Sequence, residues 1–228
     1  MDHDLLSGCL WYGAFLFSTV CHEAAHAWSA LRLGDPTAAR GGQVTLNPVP
    51  HIRREPMGMV LVPILSWLSG GWIIGWASAP YSVSWAREYP KRAALMALAG
   101  PATNLVLAIS AGLLIRLGYE SGLVGPPYRM TVSTLAVGAA GSPIALMASL
   151  LSILLSLNVL LCLFNMVPLP PLDGSSAPLL LLSPGAAQRY AEIMRHPALR
   201  LAGMVVAWRV IPPLLIPLLR VVAHLLYA

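Results

Sequence analysis

Charge is almost absent from five stretches of this chain. Residues 5–31 are apolar up to Arg32 and Gly34, and residues 93–117 and 143–164 are long and unbroken. A helix of about 20 apolar residues crosses the roughly 30 Å hydrocarbon core of a bilayer, so these three are expected to span. Residues 57–78 are also apolar, but Pro63 and Gly70-Gly71 interrupt them. Residues 198–227 hold Pro212, Pro213 and Pro217 beside Arg209 and Arg220, which predicts a kinked segment. Between these runs lie polar connections at 35–56, 79–92 and 118–142. Within the first, Gln43-Val44-Thr45-Leu46 alternates and stops at Asn47-Pro48, the pattern of a short edge strand. The span at 143–164 runs into Asn165-Met166-Val167-Pro168-Leu169-Pro170-Pro171-Leu172-Asp173-Gly174, whose prolines cannot continue a helix. Irregular backbone at membrane depth must be covered by protein or line a wet cavity. A short apolar stretch, 175–183, follows.

The expected fold is an all-α polytopic membrane bundle of about four to six transmembrane or re-entrant helices. A short β-hairpin-like insertion is expected near residues 43–80, and the whole of 1–228 reads as one domain. There is no internal repeat or low-complexity tract.

Composition agrees. Of the 228 residues 57% are hydrophobic and 10% charged, far below the quarter usual in soluble domains. The formal net charge is +5, yet no basic run is interleaved with aromatics, which argues against a nucleic-acid partner. Cys9, Cys21 and Cys162 lie in apolar runs without a C-x-x-C pair and read as buried free thiols. The start Met-Asp-His-Asp has no basic region before the apolar run, so the first segment is expected to remain in the mature protein.

Nine acids can be inspected singly, and most lie in polar connections. Glu23 lies inside a span, where an ionisable group is costly and points to function. It sits within His22-Glu23-Ala24-Ala25-His26. Positions i and i+4 share a helix face, so both imidazoles can hold one ion. Zinc suits neutral imidazole nitrogens and tolerates an open position, and Glu23 can reach water there as general base. The competing reading is a buried His–Glu–His cluster used in helix packing. Asp173, at the proline-broken segment, is the candidate third ligand. Aspartate also favours helix N-caps, so it can instead cap the helix after Gly174, or do both.

These motifs resemble the site-2 protease family of intramembrane metalloproteases, whose HExxH helix and N-x-x-P-x-x-P-L-D-G segment match His22–His26 and Asn165–Gly174. Ala99-Gly100-Pro101-Ala102-Thr103-Asn104 is similar to the family's A-G-P-x-x-N helix. Leu33-Gly34-Asp35 and Leu46-Asn47-Pro48 with His51 resemble a compact bacterial branch, and the resemblance runs from about residue 15 to about 180. It implies zinc, one per chain, on His22, His26 and Asp173, with Glu23 as catalytic base. It further implies that Asn165 and Pro171 help to hold substrate. Asn165 near a helix end can also satisfy orphan carbonyls, and Asn104 reads as a helix-packing residue. Two departures stand out: Ile52-Arg53-Arg54 follows His51 where the branch often has aspartate, and Gly75-Trp76-Ala77-Ser78-Ala79-Pro80 lacks the branch's lysine. Substrate preference is therefore not carried over, and His51 reads as a loop histidine.

The ligands must meet at one depth. They do so if 57–78 enters and returns rather than crossing. Arg32, Arg40, Arg53, Arg54, Arg87, Lys91, Arg92, Arg189 and Arg195 then share one face, cytoplasmic by the positive-inside rule. The expectation is a multi-pass protein of a bacterial cell membrane that cuts a transmembrane protein or peptide substrate, with homo-oligomerisation open. An extended substrate could add to the strand at 43–46. The alternatives are a metal carrier, since intramembrane His and carboxylates also line such pathways, and a silent relative that only binds membrane partners.

Overall fold

The computed structural model describes residues 5–228; the N-terminal Asp2 and Asp4, which the same topology would put on the face opposite the basic residues, lie outside them. Four helices are long and apolar enough to cross a membrane: α1 (Leu5–Leu33), α6 (Pro90–Glu120), α7 (Pro143–Asn165) and α9 (Pro197–Tyr227). Shorter elements lie between them: α2 (Thr37–Arg40), α3 (Pro48–Arg54), α4 (Val62–Gly70), α5 (Val83–Glu88), and α8 (Pro184–Met194).

α6 lies at the centre, packed on α1, α7 and α9. Its sequence explains why. Ala93, Ala97, Gly100, Asn104, Ala108, Ala111 and Ile115 recur every three or four residues and are all buried. Small side chains on one face let neighbouring backbones approach closely, which drives packing where lipid offers no hydrophobic gain. The other face carries Leu105, Val106, Ile109, Leu113 and Leu117, all exposed as a lipid-facing surface would be. Ala108, Ala111 and Ile115 meet Ala148 and Leu155 of α7 and Leu215, Leu219 and Leu226 of α9 in the largest apolar cluster.

Residues 57–78 fold back on themselves. A π-helical turn, Met57–Leu61, leads into α4. Together they are about 21 Å long at 1.5 Å per residue, short of the roughly 30 Å needed to cross. Gly71 ends the helix in the left-handed conformation, φ 67°, and the chain runs back extended. By Trp76 it is level with the helix start, where its N–H donates to Gly58 O at 3.1 Å. Among the described residues this hairpin of helix and extended chain contains no β-ladder.

The expected strand at 43–46 is therefore corrected, and so is the β-hairpin expected near 43–80. Backbone groups of this stretch pair locally, Gln43 N–H with Ala38 O and Thr45 O with His51 Nε2, and side chains fix the turn around them. Gln43 Nε2 donates to Ser78 O, Thr45 Oγ1 accepts from Asn47 N–H, and Asn47 Oδ1 caps α3 through Val49 N–H. The β-hairpin lies instead in the 118–142 connection, where β1 (Val124–Gly125) pairs antiparallel with β2 (Val137–Gly138). Ser152 Oγ of α7 anchors that loop by accepting from the N–H groups of Leu135 and Ala136. The proline-rich C-terminal segment stays one helix. Ile211, Leu215, Leu219, Ala223 and Leu226 bury one stripe of it, and packing of this kind supports prolines inside membrane helices.

Asp35 holds the re-entrant hairpin to the end of α1. Its carboxylate accepts from Thr37 N–H at 3.0 Å and Ser82 N–H at 2.7 Å. Burial alone would raise its pKa, but the Thr37 hydroxyl, these two N–H groups and the Arg40 charge outweigh it and hold the carboxyl below its ordinary value. A depressed carboxyl stabilises the fold above its unfolded pKa of about 4, and that stabilisation is lost as pH falls through the folded value. Thermal unfolding in detergent should therefore lose stability on the acid side of pH ~4. Asp35→Asn should unfold earlier at neutral pH and show a shallower acid loss; parallel curves for the two proteins would count against this role.

Candidate metal centre

His22 and His26 lie one turn apart on α1, inside the bundle, with 6% and 7% of their surface exposed. Burying a polar ring in an apolar helix is tolerated only when its nitrogens are used. Each Nδ1 is. His26 Nδ1 lies 2.8 Å from Met96 O of α6, and a backbone carbonyl can only accept, so Nδ1 carries the proton. His22 Nδ1 donates to Asn104 Oδ1 at 2.6 Å. In the neutral rings this leaves each Nε2 as the free lone pair, and the two Nε2 atoms face one another at 2.9 Å.

The third group comes from the proline-broken segment. α7 ends at Asn165, and the chain loops back to open a 3-10 helix at Asp173–Leu180 that packs on α6. The loop closes tightly: a Cβ on Gly174 would collide with the Met166 carbonyl at the end of α7. Asp173 is the first residue of this 3-10 helix and Leu172 holds the N-cap position. Asp173 Oδ2 points at the histidines, 3.2 Å from His22 Nε2 and 3.4 Å from His26 Nε2. The ligand reading of Asp173 thus has its geometry, and the capping reading does not.

With both rings neutral, three acceptors converge on one point, an arrangement that a cation among them satisfies. Asp173 Oδ2 is buried without a hydrogen-bond partner among the described residues, as expected of an atom reserved for an ion. Space is reserved as well. A Cβ on Gly100 of α6 would collide with Nε2 of both His22 and His26, so only glycine leaves this volume free. Among the described residues these three side chains are the group of His, Cys, Asp or Glu able to share one ion. Two imidazole nitrogens and a carboxylate oxygen, with a fourth position open, are the donor set of a catalytic zinc site. Asp173 keeps 21% of its side chain exposed, so this side of the site is open rather than sealed by protein. Glu23 follows His22 on α1, is 6% exposed, and its Oε2 has no hydrogen-bond partner among the described residues.

The other singled-out residues fall in different places. Asn165 spends its Nδ2 on Leu161 O of its own helix, the bond of an Asn satisfying a helix end. Pro171 is exposed on the loop two residues before Asp173. His51 is buried and packs as part of α3, with Nε2 near Thr45 O and Nδ1 unpartnered, away from the three-ligand cluster. Cys21 is a buried free thiol outside that cluster, and Cys162 is half-buried, but Cys9 is exposed, because its side of α1 faces outward. Asn104 does link helices, as expected, but it also orients His22, which sequence reading did not anticipate. Asn158 and Ser18, fully buried and bonded into the same network, were missed outright. A polar side chain in the middle of the most apolar span was the available signal.

Comparison with known proteins fits this geometry. The chain is 33% identical over 160 residues to a Bacillus subtilis (strain 168) protein named "Putative zinc metalloprotease YwhC", covering 70% of this chain and 63% of that one. It is 29% identical over 163 residues to "Putative zinc metalloprotease Rip2" of Mycolicibacterium smegmatis, covering 72% and 53%. The chain thus spans between about half and two thirds of the length of the curated relatives it matches. No solved structure is significantly similar to it. The model of Peptidase family M50 matches residues 11–196, a stretch that begins in α1 before the two histidines and ends beyond Asp173, and the chain belongs to that family.

Proposed function

We propose that this chain is a zinc metalloprotease that hydrolyses peptide bonds of membrane-spanning substrates within the bilayer. The observation that carries it is the meeting of His22 Nε2, His26 Nε2 and Asp173 Oδ2 inside a bundle of membrane-length helices, with the unpartnered carboxylate of Glu23 beside them. Zinc on these three atoms supplies a Lewis acid that acidifies water and polarises a carbonyl. Glu23 takes the proton from the attacking water and returns it to the leaving amide nitrogen, so that water's OH ends on the carbonyl carbon as the C–N bond breaks. Met96 O and Asn104 Oδ1 each engage Nδ1 of one imidazole and so turn both Nε2 atoms towards the site.

The substrate on this reading is a transmembrane protein or peptide that must unwind, since helical carbonyls are occupied by their own hydrogen bonds. With 43–46 not a strand, the extended return at 72–81 is the segment suited to pair with it. Asn165 and Pro171, on either side of the loop to Asp173, are proposed to hold the unwound stretch. On this reading 57–78 is re-entrant, Arg32, Arg40, Arg53, Arg54, Arg87, Lys91, Arg92, Arg189 and Arg195 share one face, and the positive-inside rule supports a cytoplasmic side of a bacterial cell membrane for it.

The test is zinc content and cleavage measured together on protein purified in detergent, against a panel of membrane-helix substrates. Wild type should hold about one zinc per chain and cut. Asp173→Ala should lose at least about 100-fold in zinc affinity and all cleavage, because it leaves two ligands. A wild type that binds zinc, cuts nothing and carries metal across vesicles would replace this reading with transport.

A further inference from the structure

Behind His22 a chain of buried amides crosses three helices. Asn104 of α6 donates through Nδ2 to Asn158 Oδ1 of α7 at 2.8 Å. Asn158 Nδ2 donates to Ser18 Oγ of α1 at 2.8 Å and to Leu154 O of α7 at 2.9 Å. Ser18, Asn104 and Asn158 are each 0% exposed. An amide has two ends of opposite character, so the direction of such a chain is set by whichever link has no choice. Leu154 O is that link. A backbone carbonyl cannot donate, so the amide end of Asn158 facing it is the nitrogen, and Oδ1 is turned to Asn104. Asn104 must then present nitrogen to Asn158 and oxygen to His22. An oxygen there requires the proton on His22 Nδ1 and leaves Nε2 bare. Were Asn104 reversed, its NH2 would face Nδ1, the proton would move to Nε2, and His22 would be capped against an ion.

We infer that Asn158, which touches neither the ion's position nor His22, is a positioning residue that sets the metal-binding tautomer of His22 through Asn104, with Leu154 O as the fixed end of the relay. His26 obtains the same result from one carbonyl, Met96 O. His22 faces a side chain free to rotate and so needs a second residue to hold it. Outer partners of a ligating histidine commonly change metal affinity by about 10–100-fold. The inference rests on the metal-site reading of His22, His26 and Asp173, not on cleavage.

The experiment is zinc affinity by chelator competition, with the visible spectrum of the cobalt-substituted protein, for wild type, Asn104→Leu, Asn158→Leu, the double variant and Asn158→Asp. Asn158→Leu should weaken zinc by about 10-fold or more and alter the cobalt spectrum. The double variant should be no weaker than Asn104→Leu alone, because both act along one path. Asn158→Asp, as a neutral acid, donates to Leu154 O and still offers Asn104 an oxygen, and should restore affinity to within a few fold of wild type. Wild-type zinc affinity in a folded Asn158→Leu, or losses that simply add in the double variant, overturns the relay and leaves the metal site standing. If Asn158→Leu does not fold, Asn158→Asp decides: its affinity and spectrum should match wild type, and a loss as large as that of Asn104→Leu overturns the inference. A wild type without zinc affinity overturns the relay and the site together.

Discussion

Glu23→Gln is expected to keep its zinc and lose roughly 10²–10⁴-fold or more in cleavage rate, the range a positioned general base supplies. The two imidazoles and Asp173 Oδ2 are untouched, so the ion should bind as before. Glutamine is close in shape to glutamate and removes only the ability to take a proton. In wild type Oε2 is buried without a hydrogen-bond partner among the described residues. A group with a purely structural role would show such a partner. Single-turnover cleavage of a membrane-helix substrate, with zinc content on the same sample, checks it. Unchanged cleavage at full zinc occupancy would remove Glu23 from the mechanism, and loss of zinc would recast it as part of the metal shell.

The second large effect comes from one carbon atom. Gly100→Ala should abolish zinc binding at concentrations that saturate wild type, while leaving the bundle folded. In an isolated helix this change gains about 0.5–1 kcal/mol, because glycine pays more conformational entropy than alanine. Overpacking a tight contact costs roughly 1–3 kcal/mol, so the two nearly offset in the apo protein. For the ion they do not. The new methyl would occupy the space against Nε2 of both histidines, where the cation must sit. Helical content by circular dichroism and zinc by chelator competition separate the two outcomes. Near-normal zinc affinity would mean that α6 can move away from α1, and that the close approach is not what reserves the site.

Much of this was legible in the sequence. Membrane spans announce themselves because lipid forbids unsatisfied backbone and uncompensated charge, so a long apolar run has few alternatives to a helix. The i, i+4 spacing of His22 and His26 fixes a shared face by helix geometry alone. The proline-rich break before Asp173 had to be irregular and protein-covered, and Pro63 with Gly70-Gly71 allowed the re-entrant turn that puts the ligands at one depth.

The alternation at 43–46 misled because a strand needs a partner, and backbone groups of this stretch pair locally instead, Gln43 N–H with Ala38 O and Thr45 O with His51 Nε2. Asp173 could have been a cap or a ligand; only the folding of the 166–172 loop onto α6 turned its carboxylate towards the imidazoles. Gly100, Asn104 and Asn158 lie about 80, 80 and 140 residues from the elements of α1 they serve, and no periodicity relates them. The sequence by itself determined which segments form membrane-length apolar helices and that His22 and His26 share one helix face, because the solvent and the helix repeat act locally. The tertiary structure alone decided the close approach of Gly100 to both imidazoles, the partners of the two Nδ1 atoms and the amide chain through Asn158, because each depends on atoms that meet only when α1, α6 and α7 pack.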